Sequence, residues 1–311
     1  MKRRVGILAL LFAGLFPVLA IAQPGLTVQK LAEGVWAAEP GLGANVGWFV
    51  AGDFVVAVDS GPDAATAREI LKKISETAGK PVRYLVLTHS HQDHTGGVKA
   101  FAEAGAQVIC QENAAPAVLY LLSSAGGPAA AAEAPGVLTV AERLMFLGGA
   151  RRVEIYWLGP AHTKGDLIVL LPQEKVLFAG DLALNRRLPY MQSQDADPRG
   201  WEAVLPRLAA APVEKMAPGH GEIGPKTGIA DTFAYVRRVN EVALQFIQTR
   251  VPEDFFHIEL RKPENRIENV NVTDDHIANV KAVVKLERER LTQATPVPAP
   301  TPRRTPTGKA S

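Results

Sequence analysis

Three histidines and an aspartate, His89, His91, Asp93 and His94, fall within six residues of the segment LVLTHSHQDHTGG (85–97). Imidazole nitrogens and carboxylate oxygens are the donors preferred by zinc and neighbouring first-row metals, and one tetrahedral ion needs four ligands in all. Four donors from so short a stretch exceed what a single ion requires of it, so the cluster points to two adjacent ions. Three more donors stand in glycine-rich stretches: His162 in GPAHTKGD, Asp181 in FAGDL and His220 in APGHGE. Glycine lets the backbone come close to a site. Of the seven histidines in the chain, only His257 and His276 stand outside these stretches, and they are read as ordinary structural residues.

Donors of this kind need a rigid floor. PVRYLVLT, just before His89, is the continuous apolar run of a strand buried on both faces. His89 and His91, two apart, can share one side of a locally extended chain, with Asp93 and His94 following where the chain turns toward a helix near Gly96-Gly97. Upstream, GVWAAE, NVGWFVAG and DFVVAVDSG read as a meander of strands, and Asp63 caps a helix to about Ala78 with Ile70, Leu71 and Ile74 on one face. Downstream come a short helix over 97–105, a strand at AQVIC and a helix over 112–123. An Ala/Gly/Pro-rich stretch to Gly136 then reads as a mobile loop or loose helix. RRVEIYWLG, DLIVLLPQ and KVLFAGD are strands. Residues 231–249 and 273–291 are amphipathic helices, the second with Ile277, Val280, Val284 and Leu291 on one face. Two rounds of strands followed by helices make a four-layer α/β arrangement, two packed sheets with helices outside.

THSHQDHTGG, HTKGD, FAGD and PGHG, in that order, resemble the metallo-β-lactamase-fold hydrolase superfamily, and the resemblance extends over roughly residues 26–226. It implies an αββα sandwich with a catalytic domain over 23–230 and a C-terminal helical extension over 231–292. It also implies that His89, His91 and His162 hold a first metal, that Asp93, His94 and His220 hold a second, and that Asp181 bridges them. The implied cofactor is a pair of Zn2+ ions, with iron or manganese as alternatives. Two such ions about 3.5–4 Å apart lower the pKa of a shared water toward 7 and so supply hydroxide to attack a carbonyl, with Asp93 as the catalytic carboxylate that accepts a proton or orients the nucleophile. The substrate would be a small ester, lactone, thioester or β-lactam.

Several β-lactamase branches carry cysteine or serine where Asp181 stands, which counts against a dedicated β-lactamase. Ala161 and Asp166 also depart from the common pattern and leave the substrate open. A persulfide dioxygenase-like oxidoreductase, using one iron and a subset of the same ligands, is the alternative from another class. Around the donors, Asp59 at the end of VVAVD is placed to accept the outer N–H of a ligand histidine, and Asp166 to steady the loop carrying His162. Arg186, Arg187 and Tyr190 are candidates for contacting a substrate carboxylate. Trp36 and Trp48 are candidates for pocket walls or for core packing.

Composition sets the outer bounds. At 311 residues, with 47% hydrophobic and 21% charged, the chain can bury one large core or two modest ones. Lys2, Arg3 and Arg4 precede an apolar stretch to Val18, and Ala20-Ile21-Ala22 fits a cleavage site, so residues 1–22 read as a signal peptide with no stable membrane anchor after cleavage. The expected location is the periplasm or the exterior. Loss of those three cations takes the formal charge from +2 to −1, which leaves no electrostatic footprint for a nucleic-acid partner. Cys110, the one cysteine, ends an apolar strand and reads as a core residue. The Pro/Thr-rich tail over 293–311 lacks core-forming residues and should be disordered. The exported protein is predicted to begin at Gln23; intact-mass measurement checks this, and retention of residues 1–22 would refute the cleavage site.

Overall fold

Neighbouring residues on a strand face opposite ways, and that alternation sets the layers here. Along β3 (Val46–Ala51) and β4 (Phe54–Val58), Trp48, Val55 and Ala57 pack beneath helices, while Phe49, Val56 and Val58 pack against a second sheet. The computed structural model describes residues 25–41, 43–123 and 136–294. The expected signal peptide, most of the expected tail and most of the Ala/Gly/Pro-rich stretch after Ser123 lie outside the described residues.

The first sheet runs β1 (Thr27–Ala32), β2 (Val35–Glu39), β3, β4, β5 (Val82–Val86), β6 (Gln107–Gln111) and β7 (Val137–Val140), in chain order. It is antiparallel up to β4 and parallel from β4 to β7. The second is ordered β13 (Gly224–Pro225), β12 (Lys215–Pro218), β11 (Val176–Gly180), β10 (Leu167–Leu171), β9 (Arg151–Trp157) and β8 (Arg143–Gly148). Only β11 and β12 are parallel in it. Between the sheets lie Phe49, Val56, Val86, Ile155, Val169 and Phe178, with the rings of Phe49 and Phe178 stacked at 6.0 Å.

Helices α1 (Ala64–Ala78), α2 (Gln92–Thr95), α3 (Val98–Glu103) and α4 (Ala115–Ser123) lie between strands of the first sheet, and α1, α3 and α4 cover its outer face. The capping logic holds for α1: the Asp63 carboxylate accepts from the amide of Thr66 at 2.8 Å, and Gly79 ends the helix in the left-handed region. Helices α5 (Pro198–Ala209), α6 (Gly228–Gln248), the single turn α7 (Phe256–Glu259) and α8 (Asp274–Ala294) complete the fourth layer. The four-layer αββα reading is therefore the observed fold. The helices read as a C-terminal extension share one core with the second sheet: Val236, Val239, Val280 and Val284 cluster with Ile168 and Leu170. None of the described helices is long and apolar enough to cross a membrane.

Some local expectations change. β5 is buried on both faces only from Leu85; Arg83 is exposed, its guanidinium 5.5 Å from the Phe54 ring centroid. On α8, Leu291 is exposed and its place on the buried face goes to Glu287, which pairs with Arg199 at 2.6 Å. Trp36 and Trp48 stack on each other in the outer core of the first sheet, and Trp48 donates to Thr77 Oγ1 at 2.9 Å, so they wall no pocket at the donor cluster. Cys110 is fully buried, and burial pushes its thiol up to about 12. The sequence pattern missed β1, β7, β8, β12, the two-residue β13, α5 and the single turns α2 and α7. β1, β7 and β8 are largely exposed strands at sheet edges and carry no continuous apolar run, β12 has only four residues, and the signal for α5, Asp197 followed by Pro198, sits in a polar stretch.

Gly47 shows how tightly the sheets meet, since a Cβ there would lie 2.0 Å from Phe178 Cε1. Gly47→Ala is predicted to cost about 1–3 kcal/mol of stability by overpacking, read as a lower urea midpoint; an unchanged midpoint would show that the interface has slack.

Candidate metal centre

The carboxyl ends of β4, β5, β11 and β12 meet at one rim of the sandwich, and the seven donors collect there. After β5 the chain stays buried through Leu87 and Thr88 before reaching His89. His91 is still extended (φ −64°, ψ 145°) and caps α2, whose single turn carries Asp93 and His94. His162 comes from the β9–β10 loop, Asp181 follows β11 and His220 follows β12.

The donor atoms form two groups joined by Asp181. In the first, His91 Nδ1 lies 3.1 Å from His89 Nε2 and 3.0 Å from His162 Nε2. In the second, Asp93 Oδ2 lies 2.9 Å from His220 Nε2 and 3.8 Å from His94 Nε2. Asp181 reaches both: Oδ1 is 3.5 Å from His94 Nε2, and Oδ2 is 3.4 Å from His162 Nε2 and 3.6 Å from His220 Nε2. Within each of the sets His89–His91–His162, His89–His94–Asp181 and Asp93–His94–His220, the donors lie within 4.8 Å of one another. Two ligands of a tetrahedral zinc, each about 2.0–2.1 Å from the ion, stand about 3.3 Å apart, so the spacing suits shared ions. The chemistry of the rim points the same way. His94 Nε2 and Asp181 Oδ1 are buried without a hydrogen-bond partner, an arrangement that is costly unless something else satisfies them.

The inward-facing nitrogens of His89, His91, His94 and His162 are each aimed by a bond on the other side of the ring. The Asp59 carboxylate accepts His94 Nδ1–H at 2.8 Å, together with the amide and hydroxyl of Thr88, both at 2.8 Å. The Thr88 hydroxyl in turn accepts from His89 Nδ1 at 3.1 Å. His162 Nδ1 donates to the carbonyl of Tyr190 at 3.1 Å. His91 turns its Nε2 to Ser193 Oγ at 3.4 Å, and Ser193 donates to Asp195 at 2.6 Å. These outer bonds set the tautomers that leave lone pairs facing the centre.

Asp59 thus contacts the outer nitrogen of His94. Asp166 accepts from the amide and hydroxyl of Thr163, each at 2.8 Å, and closes the turn after His162. Thr88, Ser193, Asp195 and the Tyr190 carbonyl were not singled out in the sequence. Only Thr88, adjacent to His89, carried a signal that could have found it.

Close packing excludes side chains at two points. A Cβ on Gly219 would fall 2.0 Å from Asp181 Oδ1, and one on Gly180 would fall 2.7 Å from Thr88 Cβ. The glycines flanking the donors thus let β11, β12 and the His89 loop approach at van der Waals distance.

Burial and neighbouring imidazoles hold His89 well below the ordinary histidine range. Burial takes His162 down to about 4 and lowers His91 as well. All three are neutral at neutral pH, the form that ligates. Burial also opposes charge on His94, but Asp59, Asp181 and Asp93 outweigh it and raise this group to about 9. For Asp93, burial is overcome by the hydrogen bond from His220 and the charge of His94, so its carboxyl is held well below the usual carboxylate range.

Among the residues proposed to contact substrate, Tyr190 lies at the mouth, half exposed, its ring centroid 6.1 Å from that of His91. The exposed Arg186 pairs with Glu222 at 3.1 Å. Arg187 passes its Cγ beside Gly221, next to His220.

The pattern of the Metallo-beta-lactamase superfamily matches residues 40–220, a span that holds all seven donors. Metallo-beta-lactamase type 2 of Bacillus sp. (strain 170) is 27% identical over 175 residues, 55% of this chain and 64% of that protein. Metallo-beta-lactamase type 2 of Bacillus cereus is 29% identical over 177 residues, with the same coverage of 55% and 64%. The chain thus spans a little under two thirds of the length of these curated relatives. Among solved structures, the metallo-beta-lactamase from Pontibacter korlensis is 26% identical with a TM-score of 0.57, covering 68% of this chain and 99% of that one. A match over more than half of the chain, carried on the same sandwich, makes this protein a member of the metallo-beta-lactamase superfamily.

Proposed function

We propose that this superfamily member is an exported, periplasmic or secreted, dinuclear zinc hydrolase that opens the carbonyl of a small ester, lactone, thioester or β-lactam. One observation carries the metal reading: His94 Nε2 and Asp181 Oδ1 are buried without a hydrogen-bond partner at the meeting point of two donor groups. His89, His91 and His162 would hold one ion, Asp93, His94 and His220 the other, with Asp181 shared between them. A pair of divalent cations held there would supply acidified water and polarisation of a carbonyl oxygen. Export rests on residues 1–22.

The chain's own groups divide the remaining work. Asp93, more than a third exposed on the open side of the centre, is held ionised. It is therefore better suited to orient the hydrogen of attacking water than to store a proton. Asp59 and Thr88 keep His94 and His89 from turning. Tyr190 offers a ring to the apolar part of a substrate. The Arg186–Glu222 pair is exposed and worth at most about 1 kcal/mol, so an incoming carboxylate can displace it.

Two results are expected. The first concerns the metal-free protein. His94, raised from 6.5 to about 9, contributes stability that is complete below pH 6.5 and is lost as pH rises through 9. His162, lowered from 6.5 to about 4, makes stability fall as pH drops from 6.5 toward 4. The melting temperature of chelator-treated protein should peak between these limbs, and Asp59→Asn should weaken the alkaline one; an alkaline limb unchanged in that variant would contradict the role given to Asp59.

The second result concerns activity. Zinc-loaded mature protein should carry two zinc ions per chain and hydrolyse members of a panel of lactones, thioesters, aryl esters and β-lactams. Asp181→Ala should lose more than about 100-fold, beyond the range seen when only a supporting residue is removed. Unchanged activity in that variant would remove Asp181 from the centre. One iron per chain with oxygen consumption would favour the persulfide dioxygenase-like reading instead.

A further inference from the structure

Helix α8 lies beyond the superfamily match at 40–220, yet one of its residues reaches the loop that aims the histidines. Asn279 is fully buried. Its Nδ2 donates to the Pro189 carbonyl at 2.7 Å and to the Tyr235 hydroxyl at 2.9 Å, and its Oδ1 accepts from the Met191 amide at 3.0 Å. Both amide hydrogens and the carbonyl of the side chain are therefore used. Between Pro189 and Met191 lies Tyr190, whose carbonyl is the acceptor for His162 Nδ1. One side chain thus grips the backbone on both sides of the peptide that sets the direction of His162.

The grip is itself braced. The Tyr235 hydroxyl, on α6, lies 3.0 Å from His276 Nδ1 on α8, and both residues are buried. Burial keeps His276 neutral, down to about 4, so it takes the tyrosine proton in a hydrogen bond and leaves the tyrosine oxygen free to accept from Asn279. The same loop continues to Ser193, the partner of His91 Nε2. Two of the three histidines of the first donor group are therefore oriented by a loop anchored from α8.

We propose that Asn279 is a positioning residue of the metal centre, holding the Pro189–Met191 loop so that His162 and His91 present their lone pairs to one ion, with Tyr235 and His276 as its brace. The inference rests on the metal reading of that donor group. It assigns the C-terminal helices a part in the site, over a separation of about 90 residues from the loop they hold.

Cobalt(II) is the probe, because its visible spectrum reports ligand geometry and its affinity can be measured by competition with a chromophoric chelator, both without turnover. Asn279→Ala in the mature enzyme should weaken one of the two cobalt sites by about 10-fold, the lower end of the range for residues that orient ligands, and should alter the spectrum. Tyr235→Phe keeps the packing and removes only the brace, so a smaller shift in the same direction is expected; it carries the test if Asn279→Ala does not fold. Glu287→Gln is the control for destabilisation of α8, because Glu287 ties that helix to Arg199 on α5 and does not touch the loop. It should lower the urea midpoint while leaving affinity and spectrum at wild-type values. Wild-type affinity and spectrum in the folded Asn279 or Tyr235 variant would overturn the proposal. Failure of the unaltered protein to take up cobalt would overturn the metal reading itself, and the inference with it.

Discussion

A single buried carboxylate organises the rim on which everything else is built. Asp59, at the end of β4 and in the left-handed region at φ 62°, accepts the backbone amide and hydroxyl of Thr88 and the outer nitrogen of His94. Removing a carboxylate from water costs several kcal/mol, which is recovered only if its oxygens are fully used. Here three donors from the end of β5 and from α2 use them. The bond that stabilises Asp59 is therefore the bond that holds His94 in place and, through the Thr88 hydroxyl, His89 as well. Aspartate is one of the few residues other than glycine that enters the left-handed region readily, so backbone shape and site chemistry are met by one residue.

The opposite wall obeys a steric constraint. β11 and β12 run parallel, and their ends must come close enough to the His89 loop for Asp181 and His220 to join the donors. Glycine at 180 and 219 permits that approach, since a methyl group at either position would overlap Thr88 or Asp181. The two sheets are locked by the interlayer core around Phe49 and Phe178, so the rims cannot separate to make room. A rigid sandwich with close-packed layers is what lets seven side chains from four chain segments hold positions within a few ångströms.

The donors differ in charge as well as place. The buried imidazoles of the first group are neutral because burial and mutual repulsion disfavour protons, whereas His94, faced by three carboxylates, is drawn the other way. Such divergence among neighbouring groups is characteristic of functional sites. It also places the more strongly anionic surroundings around the second donor group, on the side where Asp93 and His220 meet solvent.

Much was legible without coordinates. HSHQDH, the glycine-flanked His162, Asp181 and His220, the capped helix after Asp63 and the strand–helix rounds depend on local chemistry: donor type, capping and hydrophobic period act over a few residues and leave their mark in the chain. Asp59 could be chosen because it ends a strand. Ser193, Asp195, the Tyr190 carbonyl and Asn279 could not, since a hydrogen-bond partner that is distant along the chain, or that belongs to the backbone, has no sequence signature. The packing of α6 and α8 into the fourth layer, the burial of Glu287 with Leu291 left exposed, and the pairing of Trp36 with Trp48 were likewise settled by tertiary contacts. The chain alone determined which atoms could bind a metal and roughly which strand ends would carry them. Only the folded structure decided which nitrogen of His91, His94 and His162 faces inward, because that depends on the partner across the ring, and those partners come together only when the layers pack.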